Sequence, residues 1–139
     1  MSEINNNYKH QYTMIIDDED LDNFLNEKLI AFNNFSKHVY IHRNAVSALD
    51  FLNDLKEQGS KGIQVFPEVI FIDLNMPVVD GFQFIQSLNE IIDKKEINPK
   101  LVVLTSSVSQ KDREKIFAMS PEYIFATKPL SGEYLKSLS

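Results

Sequence analysis

Val69-Ile70-Phe71-Ile72, running straight into Asp73-Leu74-Asn75, is an apolar run that ends abruptly in a carboxylate. Consecutive Val, Ile and Phe without polar alternation suit a strand covered on both faces, as in a parallel sheet. The run has counterparts on either side: Tyr12–Ile16 and Val39–Ile41 precede it, and Leu101–Leu104 and Tyr123–Ala126 follow. Segments of helical period separate them. Leu21, Phe24, Leu25, Leu29 and Phe32 fall on one stripe, opposite Asp22, Asn26, Glu27 and Lys28, and predict a first helix with that stripe on the core. Ala45, Ala48, Leu49, Leu52 and Leu55 predict a second, stopped at Gln58-Gly59, where glycine suits a left-handed cap, with Gly59-Ser60-Lys61-Gly62 as loop. Phe82, Phe84, Ile85, Leu88, Ile91 and Ile92 predict a third after the turn at Asp80-Gly81, and Asn98-Pro99 leads into the fourth strand. Ser109–Met119 reads as a fourth helix, with Ser109 as cap, Asp112 at the third helical position and Ser120-Pro121 as its close. Ser131–Leu138 is a short fifth, with Tyr134, Leu135 and Leu138 toward the core. The pairs Phe32/Phe35 and Phe82/Phe84 read as core. The alternation predicts an α/β fold: a doubly wound, open five-stranded parallel sheet flanked by five helices.

Composition narrows the functional classes. The 139 residues carry a formal net charge of −6, with 43% apolar residues, 11% aromatics, four glycines and five prolines. One folded domain with its own core accounts for this length. The absence of cysteine excludes thiol catalysis, disulfide scaffolds and cysteine-held metals. No stretch approaches the roughly 18 apolar residues of a membrane span, and the residues from Met1 to Gln11 are polar, so no membrane insertion and a cytoplasmic location are expected. The acidic balance and the lack of a basic cluster argue against direct nucleic-acid binding.

In open α/β sheets, ligands bind beyond the carboxyl ends of the strands. Asp17-Asp18-Glu19-Asp20 follows the first run, Asp73-Leu74-Asn75 the third, Thr105-Ser106-Ser107 the fourth and Thr127-Lys128-Pro129 the fifth. Carboxylates gathered at one edge repel one another and call for a bound cation or a paired lysine. Oxygen ligands suit Mg²⁺, and a carboxylate can itself be a phosphoryl acceptor, in a reaction that chiefly needs in-line positioning and cations. In this reading Asp73 attacks, Asp17 and Asp18 hold the metal, Lys128 pairs with the phosphoryl group and the Thr105 hydroxyl donates to it. Taken singly, each residue has a plainer explanation. An acidic run opens many helices, Asp73 and Asp80-Gly81 suit turns, Thr105 suits a helix cap, Lys128 suits a surface and Phe125 a core. Joint placement after four different strands carries the functional reading. His10, His38 and His42 show no such convergence, and Met76 and Met119 do not suit an all-oxygen site.

The set Ile15-Ile16-Asp17-Asp18, Ile72-Asp73-Leu74-Asn75-Met76-Pro77-Val78-Val79-Asp80-Gly81, Leu104-Thr105-Ser106 and Lys128-Pro129 resembles the receiver domain of two-component response regulators, from Tyr12 to the C-terminus. The resemblance implies a flavodoxin-like strand order 2-1-3-4-5, with residues 12–139 as the receiver and 1–11 as a polar extension. It implies that Asp73 accepts phosphate from a phosphohistidine, that Asp17, Asp18, Asp73 and the Asn75 carbonyl serve Mg²⁺, and that Thr105 and Phe125 form a switch. It also implies a cis Lys128–Pro129 bond and a phosphoryl lifetime that depends on Asn75 and Ser107. Phe125 lacks the hydroxyl of the tyrosine common at its position, and the fifth helix is short for the family.

The expected function is a stand-alone receiver that takes a phosphoryl group from a sensor histidine kinase or histidine phosphotransfer protein. It then changes a surface read by an unidentified downstream protein, as a monomer or weak dimer. Its only catalysis would be phosphoryl transfer to and hydrolysis from Asp73, so it is not expected to be an enzyme in the ordinary sense. The alternative is a constitutive interaction module that keeps the fold without using phosphate. A haloacid-dehalogenase-like phosphatase needs a second aspartate where Asn75 stands, and falls below both.

Overall fold

The computed structural model describes residues 7–76, 78–106, 109–119 and 122–138. Expectations resting on residues 1–6, Pro77, Ser107, Ser120, Pro121 and Ser139 lie outside the described residues. The strands are β1 (His10–Ile16), β2 (Ser36–His42), β3 (Val69–Asp73), β4 (Lys100–Thr105) and β5 (Ile124–Thr127). They form one all-parallel sheet in the order β2-β1-β3-β4-β5. The helices are α1 (Asp20–Phe32), α2 (Ala45–Glu57), α3 (Ser60–Gln64), α4 (Gly81–Ile91), α5 (Gln110–Met119) and α6 (Gly132–Ser137).

Each central strand sends alternate residues into two cores, which is why these runs lack polar alternation. Met14, Ile16, Ile70, Ile72, Leu101 and Val103 pack with α2, α4 and Ile116 of α5 on one face. Ile15, Val69, Phe71, Val102 and Leu104 pack with Ile30 of α1 and Leu135 of α6 on the other. The open, doubly wound sheet is the expected one. The turn at Asp80 closes as a reciprocal cap: Gln83 N–H donates to Asp80 Oδ1 at 2.9 Å and the Gln83 side chain accepts from Asp80 N–H at 2.9 Å. Ser109 likewise accepts the Asp112 N–H at 3.0 Å.

Three expectations are corrected. First, α3 makes a sixth helix where residues 59–62 were expected as loop. Gly59 takes φ +65° and ends α2 as expected, but Gly62 lies so close to α2 that a Cβ would come within 1.6 Å of the Leu55 carbonyl oxygen. The chain therefore folds down onto α2, and Ile63 N–H closes a turn on the Gly59 carbonyl at 3.0 Å. Second, β1 begins at His10 and β2 spans Ser36–His42, both longer than the apolar runs, because their registered pairing continues through polar residues such as His10↔Ser36.

Third, most of the stripe expected to seat α1 faces outward, and of its five residues Leu29 packs against the core. Leu21, Phe24, Leu25 and Phe32 are exposed, Phe32 at 87%, whereas Asn23, Asn26 and Ile30 are buried. Burying an asparagine calls for partners, and the Asn23 amide nitrogen has one, Nδ2 donating to the Asp17 carbonyl at 2.8 Å, while its Oδ1 is buried without one. That bond turns α1 so that its polar side meets the end of β1. Phe32 is thus not core, in contrast to Phe35 and Phe84, while Phe82 is half-buried.

Candidate functional site

Register alone brings the candidate residues together. Ile16 is paired with Ile72, so Asp17 and Asp73 each stand one residue beyond adjoining partners. Asp73 pairs with Leu104 and Thr105 with Thr127, which places Thr105 and Lys128 one step further along the same edge. Asp17 and Asp73 are nearly fully buried, Asp18 is half-buried, and carboxylate oxygens of all three lie within 4.8 Å of one another. Thr105 is fully buried, and its carbonyl accepts the Lys128 N–H at 2.9 Å.

Lys128 reaches back over this cluster. Its Nζ lies 2.9 Å from Asp17 Oδ2, 3.2 Å from Asp22 Oδ2 and 3.5 Å from Asp73 Oδ1. The Lys128–Pro129 bond is cis. Asp17 Oδ1 accepts the Glu19 N–H at 2.9 Å, and Asp73 Oδ1 accepts the Asn75 N–H at 3.4 Å. Asn75 itself is exposed beside the cluster. Phe125 is half-buried against the α2/α4/α5 core, with the Arg113 guanidinium 5.6 Å from its ring centre.

These positions pull the ionisations in opposite directions. Burial pushes the Asp73 carboxyl above the usual aspartate range; Lys128 opposes this, while Asp17 and Asp18 add to it. Burial alone would favour a neutral Lys128, but the hydrogen bond and charge of Asp17, with Asp73 and Asp22, outweigh it and hold the ammonium firmly protonated. One lysine therefore serves three carboxylates, and the excess negative charge at Asp17, Asp18 and Asp73 forms an all-oxygen donor set. Such a set fits a hard divalent cation that keeps part of its water shell.

The chain also matches a known family. Residues 13–138 match the model of the response regulator receiver domain. The chain belongs to that family. Among receiver relatives, it is 36% identical over 95 residues to the sensor histidine kinase CheAY of Helicobacter pylori, covering 68% of this chain and 11% of the kinase. It is 27% identical over 99 residues to the response regulator Rcp1 of Synechocystis, covering 71% of this chain and 64% of that one. The receiver chain thus spans less than two thirds of the length of these relatives. A two-component response regulator structure from Cytophaga hutchinsonii superposes with a TM-score of 0.79 at 27% identity, covering 92% of each chain.

Asp22, which its spacing assigns to the water side of α1, joins the site through Lys128 at 3.2 Å. The signal was available: helical side chains lean toward the helix N-terminus, so a residue in the first turn of a helix starting at Asp20 leans over the preceding strand end. Asn23, the residue that orients α1, carries no comparable signal, because its partner is a main-chain carbonyl.

Proposed function

We propose that this receiver is a phosphorylation-switched signalling module that accepts a phosphoryl group from a histidine kinase or phosphotransfer protein onto Asp73. The observation that carries this reading is the convergence of Asp17, Asp18 and Asp73 within 4.8 Å, with Lys128 over them. Asp17, Asp18, Asp73 and the Asn75 carbonyl would hold Mg²⁺. When bound, Mg²⁺ supplies the neutralisation of phosphoryl oxygens that in-line transfer requires. An Asp73 carboxylate oxygen attacks phosphorus, the P–N bond to the donor histidine breaks, and the imidazole leaves with the bonding electron pair. Lys128 pairs with one phosphoryl oxygen and the Thr105 hydroxyl donates to another. Hydrolysis by water returns the carboxylate and inorganic phosphate.

The added phosphoryl group brings about −1.5 to −2 charges to a buried edge. Thr105 drawn toward it opens space behind, into which Phe125 turns, and the surface around α5 and β5 changes for a downstream protein partner. The donor approaches over α1, where exposed Leu21, Phe24 and Leu25 flank the edge. A cavity of about 460 Å³ between Leu25, Leu29, Pro129 and Leu130 opens beside Lys128. The described residues contain no helix long and apolar enough to cross a membrane, and we place this exchange in the cytoplasm.

The test is intact mass after incubation with phosphoramidate or acetyl phosphate, with and without Mg²⁺, on the parent chain and Asp73→Asn. One phosphoryl adduct that requires both Mg²⁺ and Asp73 is expected. No adduct, no beryllofluoride complex and no Mg²⁺ binding would leave a constitutive interaction module instead.

A further inference from the structure

Asp17 offers two oxygens, and each already has one partner. Oδ1 accepts the Glu19 N–H at 2.9 Å, and Oδ2 is held by Lys128 at 2.9 Å. A divalent cation reaching Asp17 comes to a carboxylate that already holds an ammonium, and two cations so close repel each other. Yet the receiver reading needs Lys128 to stay beside Asp73. Asp73 at 3.5 Å is its more distant partner, and a nearer carboxylate would hold it there more firmly.

Asp22 meets that requirement. Its Oδ2 is already 3.2 Å from the ammonium, and Asp22 lies outside the group of carboxylates close enough to share an ion. It is fixed to the site by its neighbour, since Asn23 Nδ2 bonds the Asp17 carbonyl at 2.8 Å. Asp22 is only partly exposed, at 39% of its side chain, and Lys128 at 20%. We infer that Asp22 is a positioning residue: when a cation takes Asp17, the Lys128 ammonium shifts its weight from Asp17 Oδ2 to Asp22 Oδ2 and remains over Asp73. This rests on the receiver reading above and adds to it a residue that acts through Lys128, without touching the cation or the phosphoryl group.

The test is a double-mutant cycle read by Mg²⁺ affinity, measured calorimetrically on the parent, Asp22→Asn, Lys128→Met and the double variant, each checked for folding by circular dichroism. Asp22→Asn should weaken Mg²⁺ binding about tenfold in the parent, because the displaced ammonium loses its alternative seat. In the Lys128→Met background it should weaken binding by about threefold at most, the screened pull of one carboxylate on a divalent ion. Asp22→Glu should restore the parent affinity. A second arm does not depend on substituting Lys128. Asp20→Asn removes the same charge from the same helical turn, where Asp20 pairs with Arg43 at 2.8 Å, and should cost about threefold or less. Losses in the two lysine backgrounds that differ by less than about twofold, or tighter Mg²⁺ binding on Asp22→Asn, overturn the inference. Absence of Mg²⁺ binding by the parent chain is a different result, and takes down the proposed phosphorylation function together with the inference built on it.

Discussion

Glu68 and Asp73 bracket the same strand, β3, and their carboxylates sit in opposite electrostatic settings. Asp73, at the carboxyl end, is buried beside Asp17 and Asp18 and titrates above its ordinary range, with Lys128 only partly offsetting the burial. Glu68, just before the strand, is also penalised by burial, but it accepts the main-chain N–H groups of Gln11 at 2.8 Å and Tyr12 at 3.4 Å and pairs with His10 Nδ1 at 3.1 Å. Those donors win, and Glu68 titrates below its ordinary range. One end of the sheet thus holds a charge that the fold alone satisfies incompletely, and the other holds a charge that main-chain donors satisfy. The unsatisfied end is where an added cation gains most.

This contrast can be broken by stability measurements, with the largest effect expected from the metal. Mg²⁺ at about a hundred times its dissociation constant should stabilise the parent by about 2.7 kcal/mol against urea, and Asp73→Asn much less. Equal stabilisation of both chains would remove Asp73 from the cation site. Without divalent ions, the same chemical change should have opposite signs at the two ends. Asp73→Asn should raise stability by about 1–2 kcal/mol, and Glu68→Gln should lower it by about 1 kcal/mol after allowance for its partly exposed carboxylate. Urea midpoints that move in the same direction would end the comparison.

The pH dependence sharpens it. Because the folded pKa of Asp73 lies above its unfolded value, the native state takes up the proton first. The advantage of Asp73→Asn over the parent is full at neutral pH and shrinks as pH falls through the folded pKa. For Glu68 the folded pKa lies below the unfolded one, so its contribution is present above the unfolded value and lost as pH falls through the folded pKa. Midpoints measured from pH 7 down to about 4 should therefore show both differences narrowing, the Asp73 difference beginning at the higher pH. A Glu68 difference that vanishes first would contradict the assignment of causes.

The smallest effect is expected at Lys9. Its ammonium donates to the carbonyls of Leu135, Lys136 and Leu138, at the C-terminal end of α6. Cations favour helix C-termini, and Lys9→Met should cost about 0.5–1 kcal/mol and speed amide exchange in α6 without altering Mg²⁺ affinity. A change in Mg²⁺ affinity would show that the two ends of the sheet are coupled.

Most of the fold and of the candidate site was legible because each relevant signal was local. An apolar run marks a strand in a parallel sheet, and the polar residue after it lies at the ligand-binding edge whatever the rest of the chain does. Asp17, Asp73, Thr105 and Lys128 are placed at that edge in this way, and the strand order that makes them neighbours is seen in the pairings Ile16↔Ile72, Asp73↔Leu104 and Thr105↔Thr127. What escaped depended on contacts between segments. Four of the five residues of the α1 stripe point outward: apolar spacing reports which residues share a face, not which face meets the sheet.

The sequence by itself determined the sheet, its helices in outline, and the acid, hydroxyl and ammonium groups at one edge, since chain order and period suffice to place strand ends. Only the tertiary structure decided that α1 turns Asn23 inward and Phe32 outward, that Gly62 folds onto Leu55, and that Asp22 shares Lys128 with Asp17. In each case the deciding partner is main chain or a charge on another element. A carbonyl accepts a hydrogen bond whatever side chain its residue carries, so residue types and their spacing leave that choice open.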